Sequence, residues 1–384
     1  MRVIVNGLPV LRQRTGIGQY SACLIGALAA AGRLEEIGVF DGSRVQPLPD
    51  FSRACEARPT RWPGWLDRCA RHATCAVRRL VESWQGARLQ REAAHGRWTL
   101  YHETCYVAPS CGLPLVVTVH DLGHLRFPQF VPPARRRWLE ARLGETLARA
   151  RAVVADSEFT RRELLEFFPW LQRERVVVAH LGVDTQQFRP SPRHEIARLR
   201  ARYCLPPRFV LYIGTLEPRK NLQGLLEGYR LLRPGMQREH PLVLAGAVGW
   251  GDGWFRSKLR KLQERGVLRV LGYVPPSQIA PLMAAATVFC FPSLYEGFGL
   301  PPLEAAACGT PVLCSHTASL PEVMGEAAWY VDPLSPGAIA AGLERLLDDA
   351  ALRAALREQG LARAAAYTWA ACAEQTLRAY RIAA

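Results

Sequence analysis

Lysine is the residue this chain most nearly does without: of its 49 basic side chains, all but Lys220, Lys258 and Lys261 are arginine. In so arginine-rich a sequence much of the formal charge of +15 reflects coding bias, and alone it says little about a polyanionic partner. Long apolar runs are missing too; none approaches the roughly 20 residues that cross a bilayer. No cleavable leader is legible, because Met1-Arg2-Val3-Ile4-Val5-Asn6-Gly7 reads as a buried strand, so a cytoplasmic protein is expected. The 11 cysteines form no CxxC pair and no Cys/His set with zinc spacing. Cys290, Cys308 and Cys314 lie in apolar segments as small core residues, while Cys69/Cys75 and Cys105/Cys111 are only loosely paired; reduced thiols are expected. No GxGxxG follows the first strand, since Gly16-Ile17-Gly18 comes too late, which argues against a nicotinamide-dependent dehydrogenase. No nucleic-acid-binding module is recognisable, and no nucleic acid partner is expected.

What the chain does have is length and alternation. Its 384 residues exceed one compact core, and 49% hydrophobic with 22% charged residues describe a globular protein of two domains. Short β-branched runs alternate with helical patterns at 2–6, 37–40, 99–101, 115–119, 152–156 and 176–179. A second set follows at 209–213, 242–245, 268–271, 287–291, 311–314 and 329–331. Six strands and six more predict an α/β chain with two Rossmann-like domains, 1–190 and 191–365, facing each other across a cleft. The break is expected at the turn-rich Phe-Arg-Pro-Ser-Pro-Arg of 188–193, and a closing helix of about 366–384 is expected to pack back on the first domain. Ligands of parallel sheets bind at the C-terminal ends of strands, so the strand-to-helix loops are where chemistry is sought.

The most informative loop runs from Phe291 through Glu296-Gly297-Phe298-Gly299-Leu300-Pro301-Pro302-Leu303-Glu304 to Gly309-Thr310-Pro311. A strand ends, glycines allow close backbone approach, prolines suit a helix's first turn, and the free N–H groups there attract an anion such as a diphosphate. Glu296 and Glu304 flank that position; carboxylates do not bind phosphate directly, so sugar hydroxyls on either side of a diphosphate are their expected partners. In Gly214-Thr215-Leu216-Glu217-Pro218-Arg219-Lys220-Asn221, one of the three lysines stands beside an arginine at a strand end, a pair that can neutralise a diphosphate. In Val119-His120-Asp121-Leu122-Gly123-His124 a strand delivers His120 to the sheet edge. Asp121 is read either as its orienting carboxylate or as a cap of the next segment, and His124 as structural. His102 is another strand-end histidine.

The Glu-x7-Glu segment from Glu296 to Glu304, with its intervening Gly-Phe-Gly-Leu-Pro, resembles that of glycosyltransferase family 4, the retaining nucleotide-sugar-dependent transferases of GT-B fold. The likeness extends from Thr15-Gly16-Ile17-Gly18 to Tyr367-Thr368-Trp369 and is weakest at about 45–97. It implies that Arg219 and Lys220 hold the donor's diphosphate and stabilise the departing nucleotide, that Glu296 fixes sugar hydroxyls and Glu304 the ribose, and that His120 lies beside the donor sugar. It further implies that Gly16 and Gly18 border the donor phosphates, that Gly214, Gly297, Phe298, Gly299 and Leu300 complete the donor site, and that Tyr273 and Val274 lie against the base. Arg14, His102 and Asp121 are the candidates for the acceptor. Retention by a front-face ion-pair route needs no carboxylate nucleophile, and with no DxD motif and two cations in place a metal-independent enzyme without a cofactor is expected.

The His-Asp-Leu and Thr-Gly-Ile-Gly pattern is similar to the branch containing bacterial mannosyltransferases of surface polysaccharides. The expected donor is therefore GDP-mannose, with UDP-sugars the alternative, and the expected acceptor a glycan or a polyprenyl-diphosphate-linked glycan. A catalytically silent sugar-nucleotide-binding protein is the non-enzyme alternative. Between Trp62 and Arg91, apolar residues recur at helical spacing among Arg68, Arg71, Arg78 and Arg79. This segment reads either as a basic amphipathic element peripheral on the inner face of the cytoplasmic membrane or as a helix packed on its own domain.

Overall fold

The computed structural model describes residues 1–11, 16–48, 75–215, 217–246 and 253–384. These form two compact units: Met1–Gly182 joined by Trp369–Ala384, and Val183–Thr368. The division falls ahead of the turn-rich stretch at 188–193, because the Val183 N–H already donates to the Tyr367 carbonyl (3.0 Å) and Phe188 is buried.

The first unit holds a seven-stranded sheet of order β3-β2-β1-β4-β5-β6-β7. Its strands are β1 (Arg2–Asn6), β2 (Glu36–Phe40), β3 (Val45–Pro47), β4 (Leu100–Glu103), β5 (Leu115–Val119), β6 (Ala152–Ala155) and β7 (Val176–Val178). All pair in parallel except β3, an antiparallel edge strand that the sequence reading omits because its three residues carry no apolar run. The central strands are near-continuous apolar runs, such as Leu-Val-Val-Thr-Val in β5, as a sheet covered on both faces requires. Each then turns polar at its C-terminal end: Asn6, Glu103, His120 and Asp156 are all buried there. The helix Trp369–Ala383 returns to this sheet and buries Cys372, Ala373, Leu377 and Tyr380.

The second unit carries a six-stranded, all-parallel sheet of order β10-β9-β8-β11-β12-β13. The strands are β8 (Val210–Ile213), β9 (Leu242–Ala245), β10 (Leu268–Gly272), β11 (Val288–Phe291), β12 (Val312–Ser315) and β13 (Ala328–Val331). Its core is aromatic at the centre, with Tyr212 and Phe291 stacked at 6.1 Å across β8 and β11. Strand order reverses between β8 and β11, the place where open α/β sheets bind ligands. No helix among the described residues is long and apolar enough to cross a membrane.

Candidate functional site

In the second unit the loops after β8 and β11 meet at that reversal. The loop after β8 closes with the short turn Pro218–Lys220, and Asn221 follows in a left-handed conformation (φ 55°). Asn221 fastens three loops at once. Its Oδ1 accepts from the Gly224 N–H that opens the next helix, and its Nδ2 donates to the carbonyls of Pro292 (3.0 Å) and Pro333 (2.7 Å). A further backbone bond, Leu294 N–H to the Arg219 carbonyl at 2.9 Å, locks the loop carrying the cations to the loop carrying Glu296.

Glu296 is the hub. Its carboxylate accepts from the Lys220 Nζ at 2.6 Å, the Arg219 Nη1 at 3.2 Å and the Ser293 Oγ at 2.6 Å, and only 6% of the residue is exposed. Burial alone would raise its pKa, but the Lys220 ammonium and Arg219 guanidinium beside it hold the carboxyl below the ordinary value. Arg219 is itself oriented by the Tyr295 carbonyl (2.7 Å) and the Glu217 carboxylate (3.1 Å), and the Lys220 ammonium rests 5.1 Å from the centre of the Phe291 ring. Two cations are thus preorganised by a buried anion where the strand order reverses.

Downstream, Gly299 caps the helix Leu300–Ala307 with φ 96°, a left-handed geometry that favours glycine, and a side chain there would overlap Leu320. Glu304 lies one turn inside that helix. Burial, unopposed by any cation, pushes its pKa to about 8, so in the unliganded fold it is protonated near neutral pH and able to donate. The sequence reading treats both glutamates as acceptors; the structure separates them, one ionised and one neutral. Phe298 is buried and turns its ring into the packing against Tyr367 (5.7 Å, edge-on). Gly214 and Gly272 gather around Gly246, whose N–H donates to the Gly272 carbonyl and where a side chain would overlap the Gly214 carbonyl. Tyr273 is 69% exposed beyond Gly272, whereas Val274 is buried.

In the first unit His120 is enclosed. Its Nδ1 is 2.7 Å from the Asp156 Oδ2 and its Nε2 is 2.9 Å from the Thr104 carbonyl. The rings of Tyr20 and Tyr106 stand edge-on to it at 4.7 and 5.7 Å. Asp121 does not orient it; the Asp121 carboxylate caps the next turn by accepting from the Gly123 N–H. His102 is also unlike its expectation as an acceptor contact: it is fully buried, with one ring nitrogen on the Tyr380 hydroxyl and the other on the Thr118 hydroxyl, both at 2.8 Å. Burial lowers its pKa to about 3, so it is a neutral packing histidine. His124 is likewise buried, with a pKa lowered to about 4 by burial. Gly16 and Gly18 lie in the first turn of the helix Gly16–Ala30, not in an open loop. Arg14 lies outside the described residues.

Four contributors escape a motif reading: Asn221, Ser293, Asp156 and the Thr104 carbonyl. Asp156 shares the signal that marks His120, a polar side chain directly after an apolar strand. Ser293 and Asn221 are loop residues whose role exists only once the loops meet. Cys111, Cys290, Cys308, Cys314 and Cys372 are buried thiols.

Residues 14–187 match the model of Glycosyltransferase Family 4 and residues 203–363 that of Glycosyl transferases group 1. The O-antigen chain mannosyltransferase B of Escherichia coli is 34% identical over all of both chains. A D-inositol 3-phosphate glycosyltransferase of Acidothermus cellulolyticus is 31% identical over 85% of this chain and 69% of its own length. Among solved structures, WaaG, a glycosyltransferase involved in lipopolysaccharide biosynthesis, has a similar fold with a TM-score of 0.72, 16% identity, and coverage of 100% of this chain and 99% of its own. Anabaena HepE in complex with UDP and glucose gives 0.71 with 18% identity over 99% of each chain.

Proposed function

We propose that this chain, which belongs to glycosyltransferase family 4 and has the GT-B fold, is a retaining mannosyltransferase that uses GDP-mannose to extend a lipid-linked or polysaccharide acceptor in surface-glycan synthesis. The observation that carries the reading is the Arg219–Lys220–Glu296–Ser293 cluster at the reversal of strand order, beside the start of the helix Leu300–Ala307. Mannose as the sugar is supported by the full-length likeness to the E. coli O-antigen enzyme.

Breaking a bond between an anomeric carbon and a nucleoside diphosphate builds positive charge on the sugar and negative charge on the leaving phosphate. Arg219, Lys220 and the free N–H groups after Gly299 stabilise the second charge by fixed electrostatics. The donor's diphosphate competes with Glu296 for the two cations, and the carboxylate, released in part, accepts from sugar hydroxyls. Glu304, neutral before binding, meets the ribose as donor or acceptor. His120 stands beside the sugar, and the leaving phosphate takes the acceptor's proton. Gly214, Gly272 and Val274 shape the backbone around the nucleotide, with exposed Tyr273 available to the base, and Gly16 and Gly18 border the phosphates.

A membrane surface is the proposed site of action. On the helix Cys75–Ala94, Leu80 is 70% exposed, Val81 45% and Trp84 46%, among the exposed Arg79, Arg88 and Arg91. The inward side of the same helix is made by Gly86, Leu89 and Glu82, the last bonded to Trp138 and Arg142. An outward apolar face ringed by arginines suits anionic lipid. The rest of the segment 62–91, including Trp62, Arg68 and Arg71, lies outside the described residues.

Calorimetry of the purified chain with GDP-mannose, UDP-glucose and UDP-GlcNAc tests the donor, and NMR of the product tests the anomeric outcome. GDP-mannose is expected to bind best and the product to retain the donor's configuration; preference for a UDP-sugar overturns the donor assignment and inversion overturns the mechanism. Flotation with phosphatidylglycerol-containing vesicles is expected for the wild type and lost in Leu80→Ser/Trp84→Ser. Equal flotation of both removes this face from the reading.

A further inference from the structure

We propose that Asp156 is a positioning residue for His120, fixing the imidazole together with the Thr104 carbonyl so that both ring nitrogens donate and the ring cannot serve as a base. The inference rests on the reading of His120 as the residue beside the donor sugar.

The geometry leaves little choice. A backbone carbonyl carries no proton, so the Nε2 at 2.9 Å must donate to Thr104. A carboxylate next to an imidazole leaves the shared proton on the more basic nitrogen, so the Nδ1 at 2.7 Å donates to Asp156. A neutral imidazole has one N–H and keeps both bonds only if the Asp156 carboxyl carries the shared proton, whereas an imidazolium beside a carboxylate keeps both with the charges paired; His120 itself is 8% exposed. The ring is also prevented from turning. Tyr20 and Tyr106 stand edge-on to it, and Tyr20 is pinned by its hydroxyl to the Thr118 hydroxyl at 3.0 Å, which in turn holds His102.

Asp156 has no other evident employment. It is 3% exposed, its Oδ2 contacts His120, and its Oδ1 has no hydrogen-bond partner among the described residues. A buried carboxylate with one oxygen unsatisfied costs stability. A structural role does not require it, since an apolar residue at the end of β6 would pack without that cost. Such a local expense is the mark of a residue kept for what it does to a neighbour. The charged and titratable groups around the pair are Asp121 next in the chain, His102 on β4, Tyr20 on the helix Gly16–Ala30, Tyr106 after β4, His180 after β7 and Cys372 on the closing helix. Of the groups that raise the pKa of His120 against its burial, Asp156 contributes most.

Histidine-labelled full-length protein gives a direct readout in the 15N shifts of the His120 ring, assigned with His120→Gln. Wild-type His120 is expected to titrate above an ordinary histidine and to show both nitrogens protonated at neutral pH. Asp156→Asn is expected to move that titration down by at least one pH unit, to shift the alkaline limb of kcat equally, and to lower kcat at least ten-fold with the donor KM within three-fold. Asp156→Glu is expected to recover part of the titration shift. An ordinary or lowered wild-type titration overturns the proposal whatever the variants do, and so does an unchanged His120 titration in Asp156→Asn. If His120→Gln transfers sugar at the wild-type rate, the reading of His120 fails instead, while the NMR titration still judges its linkage to Asp156.

Discussion

Replacing Lys220 by methionine isolates the electrostatics of the second unit. The ammonium and the Glu296 carboxylate are 2.6 Å apart with 13% and 8% of their side chains exposed. At that distance and an effective dielectric of 20 the attraction is about 6 kcal/mol, most of which the desolvation of two ions takes back. Removing one partner of a buried pair leaves the other uncompensated, which costs about 3–5 kcal/mol. Here Arg219 at 3.2 Å and Ser293 at 2.6 Å remain on the carboxylate, so Lys220→Met is expected to cost less than that, about 2–3 kcal/mol. For a unit of this size that is about 5–10 °C in its unfolding transition, read by calorimetry. The folded-state pKa of Glu296 is depressed, so its contribution is present above the ordinary glutamate range and lost as pH falls through the folded value. The gap between wild type and Lys220→Met should therefore narrow as pH falls below the ordinary glutamate range. Because the cost lies in a stranded carboxylate, Lys220→Met/Glu296→Gln should be more stable than Lys220→Met alone. A single variant within about 1 kcal/mol of wild type, or a double variant no better than the single, would refute the reasoning.

Glu304→Gln is expected to match wild type in thermal stability at about pH 4 and to exceed it increasingly as pH rises to about 8. The folded pKa of about 8 lies above the unfolded value, so the wild type loses stability as pH rises between the two; equal pH profiles would contradict this. His102, with a folded pKa of about 3, works the other way: the unfolded chain takes up a proton below about pH 6.5 that the fold refuses. Urea unfolding of the first unit should therefore show about 2 kcal/mol less stability at pH 4.5 than at pH 6.5 from this residue, a loss reduced in His102→Asn. Gly299→Ala forces a side chain into a left-handed position against Leu320 and should cost at least about 1 kcal/mol while weakening GDP binding, measured by calorimetry. Sugar transfer is expected to persist undiminished in EDTA and to fall at least a hundred-fold in Glu296→Ala; strict dependence on added Mg2+ would shift the neutralising role away from Arg219 and Lys220.

Strands were legible because buried parallel strands announce themselves locally: β1, β5 and β9 begin and end where the apolar runs do. The edge strand β3 was not, since three residues with an exposed proline have no pattern of their own. Site residues followed the same division. Glu296, Arg219 and Lys220 stood out through chemistry at strand ends, and the loops bring them into contact. What a linear reading does not contain is the partner of each. That His120 answers to Asp156, 36 positions away, and not to the adjacent Asp121 depends on β5 and β6 lying side by side in parallel register. His102 looked like a surface ligand because the helix that buries it lies some 270 positions later in the chain.

That late helix has a consequence for how the protein is made. Trp369–Ala384 belongs to the first unit, yet the whole of Val183–Thr368 is synthesised before it emerges from the ribosome. Until then the sheet that carries His120 lacks the Tyr380 hydroxyl on His102, and Arg151 lacks the Ala383 carbonyl it donates to. Vectorial folding can therefore finish the second unit first and the first unit last, the reverse of their order in the gene. A product lacking Trp369–Ala384 would keep an intact cation cluster and an unfinished histidine site. Emergence of this helix thus becomes a checkpoint on assembly of the first unit.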